Sequence, residues 1–262
     1  MRIKPLGTLS LSFMLLLVCC SATAQVVLHF DNRVGTQSLT NSQGAHKTTA
    51  NEPFTVTLLQ YYISNIELTK ANGDKYIIPK KESCFLVKQH LDSSKSLAIN
   101  LPEGLYTTIS FLVGVDSLTS TLPIEERTGV LDPGRDMAAS ESMYWTWNSG
   151  YIFFKLEGSS PAIPADKTGF REFEYHIGGY GGYNTPTLNN IRRISLPLPS
   201  NAPLRVRNHQ KAVVHIRFNV QQLLDRIDLK KHHHIMLTPE SARIADNYAA
   251  AFSYGGTDYP NK

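Results

Sequence analysis

Cysteine is nearly absent from this chain of 262 residues: there are three, and two of them, Cys19 and Cys20, fall in an N-terminal segment that reads as an export signal. Arg2 and Lys4 give that segment its basic start, Leu9 to Val18 its apolar stretch, and Ala22-Thr23-Ala24 a small-residue cleavage site, so residues 1–24 are expected to be removed and the mature chain to begin at Gln25. The residues before Cys19 and Cys20 are bulky or another cysteine, which disfavours lipidation. Cys84 is then the only mature thiol. That excludes an intramolecular disulfide and any cysteine-rich zinc or iron–sulfur cluster. Within Ser83-Cys84-Phe85-Leu86-Val87 the thiol reads as a small buried hydrophobe.

Long apolar runs are also missing. Beyond the leader no segment approaches the roughly 18 apolar residues of a membrane helix, so the expected address is periplasmic or secreted. Charge of one sign is scarce as well: 26 Lys and Arg stand against 22 Asp and Glu, and the leader takes Arg2 and Lys4 away. Without a basic block or a basic–aromatic platform, no nucleic-acid partner is implied. G-x-S-x-G and H-E-x-x-H do not occur, so neither a nucleophile elbow nor a zincin site is indicated. Gly178-Gly179-Tyr180-Gly181-Gly182-Tyr183 lacks the spacing of a phosphate-binding loop and precedes no helix.

What the chain does have is β-pattern and aromatic side chains. Val26 to Asp31 alternates, with His29 on the polar side; Phe54 to Leu68, Tyr76 to Ile78, Cys84 to Lys88, Leu97 to Ile99 and Leu105 to Val113 follow as strands. Phe170 to Ile177 places His176 on a polar face, and Ala212 to Phe218 does the same for His215. Helical period is confined to Val220–Ile227 and to a stretch opened by Thr238-Pro239-Glu240, with Ile244, Tyr248 and Phe252 on one stripe. The expectation is one domain over residues 25–262: an all-β, antiparallel immunoglobulin- or transthyretin-like sandwich with two short C-terminal helices. The connection from Leu118 to Ser142 is long enough to suggest a role; Asp116, Asp132 and Asp136, in or near it, either brace it or bind calcium, without the acid spacing of an EF-hand.

Both tryptophans lie in Met143-Tyr-Trp-Thr-Trp-Asn-Ser-Gly-Tyr-Ile-Phe-Phe-Lys-Leu-Glu-Gly158, where Asn148-Ser149-Gly150 supplies a turn between two arms. Tyr144, Trp145, Trp147 and Tyr151 there read either as core or as a binding platform. Nine histidines follow the leader. Any one of them reads as a hydrogen-bonded surface residue, but an exported chain without thiolate clusters would bind copper or zinc through imidazole with O or N co-ligands. His29, His176 and His215 are the candidates. His232-His233-His234, beside Lys230 and Lys231, reads as a solvated basic loop.

The succession Gly114-Val115-Asp116-Ser117, Leu131-Asp132-Pro133, the tryptophan stretch and Phe173-x-Tyr175-His176-Ile177-Gly178 resembles the MbnP-like family of exported copper-binding proteins. Tyr61-Tyr62-Ile63-Ser64-Asn65 and Ile244-Ala245-Asp246-Asn247-Tyr248 look like its Bacteroidetes-type members. The resemblance implies a non-enzymatic protein that holds copper through two histidines and a kynurenine made from a tryptophan, here Trp145 or Trp147. It also implies a di-haem cytochrome c peroxidase partner, MbnH-like, that carries out that oxidation. An indole offers an N–H donor and no ready lone pair, whereas ring opening creates an aromatic amine that can coordinate. Where that family carries His-x-Gly, this chain has His176-Ile177-Gly178. The alternative is a structural or ligand-binding sandwich whose aromatic cluster is core or platform.

Overall fold

The computed structural model describes residues 23–40, 46–135, 141–148 and 150–260. Most of the expected leader, and Asp136, therefore lie outside the described residues. In chain order the strands are β1 (Thr23–Val34), β2 (Gln37–Ser38), β3 (His46–Lys47), β4 (Pro53–Lys70), β5 (Lys75–Ile77), β6 (Cys84–Lys88), β7 (Ser96–Pro102) and β8 (Gly104–Val113). After α1 (Ser117–Ser120) come β9 (Tyr144–Trp145), β10 (Gly150–Ser159), β11 (Glu172–Gly178), β12 (Arg192–Pro197), β13 (Leu204–Val206) and β14 (Ala212–Asn219). The chain ends with α2 (Val220–Leu224), β15 (His234–Ile235), α3 (Ser241–Ala250) and β16 (Phe252–Asp258).

Two sheets result. The smaller runs β16-β14-β1-β2, with β7 also on β1; the larger runs β12-β8-β4-β10-β11-β15, with β3, β5, β6, β9 and β13 attached along it. Alternation explains the layering. Val26, Leu28 and Phe30 of β1, Val214, Ile216 and Phe218 of β14, and Leu59, Tyr61 and Ile63 of β4 all enter one shared core with Phe154 and Leu156 of β10 and Phe173, Tyr175 and Ile177 of β11. Its centre is aromatic: Phe154 stacks on Tyr248 at 4.8 Å between ring centroids, and Phe218 meets Phe252 at the same distance. Such pairs add about 0.5–1.5 kcal/mol each beyond the area they bury.

The antiparallel expectation needs correction. β1 pairs with β14 in parallel, Val26 opposite Ala212 through Arg33 opposite Asn219, and β11 pairs with β15 in parallel. Both sheets are thus mixed and not purely antiparallel. Strands far apart in sequence are not joined by a tight turn, so nothing local forces them to run in opposite directions. The strand expected over Phe54 to Leu68 is present as β4, one continuous strand of 18 residues. Both C-terminal helices form, but the helical stripe stops short of Phe252, which opens β16 instead. There Gly255 and a register shift between His215 and Ile216 disguise the strand pattern.

Cleavage after Ala24 would leave Gln25, opposite Asn100 of β7, as the first residue of an otherwise intact β1. No helix among the described residues is long and apolar enough to cross a membrane. Burial pushes the Cys84 thiol up to about 12, with the Asp116 carboxylate adding to it. Native protein should therefore resist alkylation by iodoacetamide, and the same protein in urea should be labelled completely; rapid labelling of the folded form would contradict the raised value of this partly buried thiol.

Candidate functional site

The outer face of the larger sheet carries a second cluster, in which Tyr62, Leu86, Val115, Met143, Trp145 and Tyr151 pack together. The expected hairpin is present, with Trp145 opposite Gly150 and Tyr144 opposite Tyr151. Trp145 is 6 % exposed and Trp147, in the turn, 68 %; their rings lie 5.7 Å apart. Trp145 can sit this deep because Gly178 of β11 has no side chain: a Cβ there would lie 2.6 Å from the indole. Gly178 and His176 share a face of β11, so the indole lies on the face that carries His176.

Phenols fasten the long connection over this cluster. Tyr62 donates to the Val130 carbonyl at 2.7 Å and Tyr151 to the Leu131 carbonyl at 2.6 Å. Tyr144 packs edge-on against Tyr151 at 5.2 Å, and the Arg127 guanidinium both donates to the Tyr144 hydroxyl and lies 6.0 Å from the Tyr151 ring. Burial pushes the Tyr151 phenol up to about 12, so it remains a donor. Asp116 caps α1 through Thr119 and pairs with Lys80 at 3.2 Å, and Asp132 accepts from the Gly134 amide. These two carboxylates brace the connection.

Beside the aromatic cluster a polar row crosses the sheet. Lys88 of β6 and Lys155 of β10 flank Gln60 of β4, and His176 of β11 is opposite Lys155. Lys88 pairs with Glu141 at 3.1 Å, His90 approaches the same carboxylate at 3.5 Å, and Glu157 takes a hydrogen bond from His176 at 2.8 Å. The Gln60 amide is fully buried, and neither its nitrogen nor its oxygen has a hydrogen-bond partner. The row escaped notice in the sequence because its members come from four strands; two outward lysines on apolar strands were the one available signal.

Burial opposes ionisation of Glu157, yet hydrogen bonds from His176 and Lys155 hold its carboxyl below the ordinary 4.5. Asp116 is likewise held below 3.8, with Thr119 and Lys80 outweighing its burial. A depressed carboxylate contributes stability that is present above its unfolded value and lost as pH falls through the folded one. The urea midpoint should therefore hold down to about pH 5 and drop below about pH 4, less steeply in a Glu157→Gln, Asp116→Asn double variant.

His29 and His215 lie on the outer face of the other sheet. They are register partners on the parallel β1–β14 pair, their rings edge-to-face at 5.5 Å. Nδ1 of His29 hydrogen-bonds the Ser96 hydroxyl at 3.0 Å, and Nε2 of His215 the Asp258 carboxylate at 2.9 Å. The other nitrogen of each ring has no hydrogen-bond partner among the described residues. Burial, then the neighbouring His215, keeps the His29 imidazole below 6.5 and so neutral near pH 7. A cleft of about 460 Å³ reaches His29 past Asp31, Asp92, Lys95 and Ser96. Among the described residues no group of three or more His, Cys, Asp or Glu is arranged to hold a metal ion. The three candidate histidines thus divide: His29 and His215 adjoin, while His176 lies on the opposite face of the molecule with the tryptophans. His234 and His233 of the basic loop are taken by Glu174 and the Leu229 carbonyl.

Two packed mixed sheets, an aromatic hairpin over one and a histidine pair on the other, define a β-rich scaffold. The MbnP family profile matches residues 23–238, and the chain belongs to that family. Among solved structures it is similar to MbnP from Methylosinus trichosporium, at 16 % identity over 78 % of each chain with a TM-score of 0.50. No curated protein matches in sequence.

Proposed function

We propose that this chain is an exported copper-binding protein rather than an enzyme, with copper held by His29 and His215. The observation that carries the reading is the histidine pair itself: two rings at 5.5 Å, each with one nitrogen occupied and one uncommitted. Ser96 and Asp258 orient the rings as outer-shell partners of metal-binding histidines commonly do. Imidazole donors match copper, and monovalent copper accepts so small a donor set; calcium and magnesium require six or more oxygens. What bound copper would supply here is a redox-active or transportable ion; the protein residues bind and orient.

The tryptophan hairpin is the element that a di-haem peroxidase of the MbnH type would oxidise. Trp147 supplies the exposed indole and Trp145 the shielded one. A kynurenine formed there lies on the far side of the molecule from His29 and His215, so the copper of this pair and the modified residue are separate features of the reading. Anaerobic titration with a monovalent-copper competitor, together with peptide mass spectrometry of protein from its own organism, tests both. One equivalent of copper and a gain of about 4 Da on Trp145 or Trp147, one carbon lost and one oxygen gained, are the expected results. Absence of copper binding would sink the first half, and unmodified tryptophans the second.

A further inference from the structure

A second cleft of about 460 Å³ opens between the tryptophan hairpin and the loop after β11. Trp145, Asn148, Tyr180, Tyr183, Thr185 and Thr187 line it, with Leu188 and Leu237 beneath, and none of its lining residues carries a charge. Tyr183 is 76 % exposed, and Trp147 presents a further open ring beside Trp145. The volume falls within the range of about 300–1,000 Å³ typical of small-ligand sites.

The wall is built, not draped. Gly179, Gly181 and Gly182 hold φ of 103°, 95° and 86°, a region side-chain-bearing residues avoid, and a Cβ on Gly179 would lie 2.7 Å from the Leu188 carbonyl. The loop closes on itself through Gly181 N–H to Leu188 O at 3.0 Å and Thr187 N–H to Gly181 O at 3.1 Å. Asn190, fully buried, donates to the Gly178 carbonyl and to Ser241 at the start of α3. A pre-ordered wall lowers the entropic cost of binding.

We infer that this cleft binds a neutral, ring-shaped polyhydroxy ligand, a short glycan segment. Open aromatic faces take the apolar faces of sugar rings, and the amide and hydroxyls of Asn148, Thr185 and Thr187 meet their equatorial hydroxyls. Lack of a lining cation disfavours phosphates, uronic acids and nucleotides, whose charge would go unpaired. A purely hydrocarbon ligand would leave the Asn and Thr groups unsatisfied.

Calorimetry and tryptophan fluorescence on the full mature chain test this with cellobiose, maltose, chitobiose, a glucuronate-containing disaccharide and a proline-rich peptide as probes. At least one neutral disaccharide should bind in the millimolar range or tighter and change the fluorescence, the uronate should not, and Tyr183→Ala should weaken binding about fivefold or more. Tyr183 is exposed, so its replacement should leave the melting temperature unchanged. No binding of any neutral sugar, equal binding by Tyr183→Ala, or preference for the peptide would overturn the inference. The outcome is independent of copper: a His29→Ala, His215→Ala variant should keep the sugar response while losing the metal.

Discussion

A His29→Ala, His215→Ala variant should bind no monovalent copper in competition with a chromogenic chelator, and either single replacement should weaken binding by more than about 100-fold. The size follows from the donor count. With two ligands, loss of one leaves a single imidazole, which cannot compete with solvent and buffer, whereas loss of an outer-shell partner typically costs about 10–100-fold. Asp258→Asn, which alters the group on Nε2 of His215 without touching the other nitrogen, should sit in that lower range. Both histidines point out of the small sheet, so the variants should keep their circular dichroism and melt within a few degrees of the parent. His176→Ala supplies the contrast. Its ring is engaged by Glu157 on the other sheet, and its loss should leave copper affinity unchanged. If His176→Ala removes copper and the double variant does not, the metal belongs with the tryptophans.

Gly178→Val should destabilise the protein by about 3 kcal/mol, or roughly 6–12 °C in melting temperature for a chain of this size. The backbone at this glycine is ordinary strand; the cost is steric. A Cβ would strike the Tyr151 carbonyl and lie 2.6 Å from the Trp145 ring, so hairpin and strand must separate. Fluorescence reads the same event. In a Trp147→Phe background the emission reports on Trp145 alone, blue-shifted in the parent and shifted red once valine expels the indole from its seat. Unchanged emission together with an unchanged melting temperature would mean that Gly178 does not hold the hairpin down.

Much of this was legible in the residues. Alternation in Val26 to Asp31 and Ala212 to Phe218 put His29 and His215 on outward faces, and β6 was bounded to the residue by its apolar run, Cys84 to Lys88. The turn-forming residues Asn148 and Gly150 signalled the tryptophan hairpin that β9 and β10 make. What alternation does not encode is which distant strands become neighbours. The facing of His29 and His215 depends on a parallel register between the two ends of the chain, and the Lys88–Gln60–Lys155–His176 row on four strands coming side by side. Ser96 and Asp258 were invisible for the same reason. β16 was missed because its Gly255-Gly256 carries no side-chain pattern.

β1 lies between β14 and β7, and β14 in turn supports β16. One flank of the first strand is thus closed by residues far downstream, and its hydrogen-bonding groups wait, unpaired on that side, until β14 has been made. Closing so long a loop is entropically costly and slow. An unfinished chain is accordingly unable to complete the sheet that carries His29 and His215. The facing of the two imidazoles is therefore a late product of folding, which no early segment of the chain can form by itself.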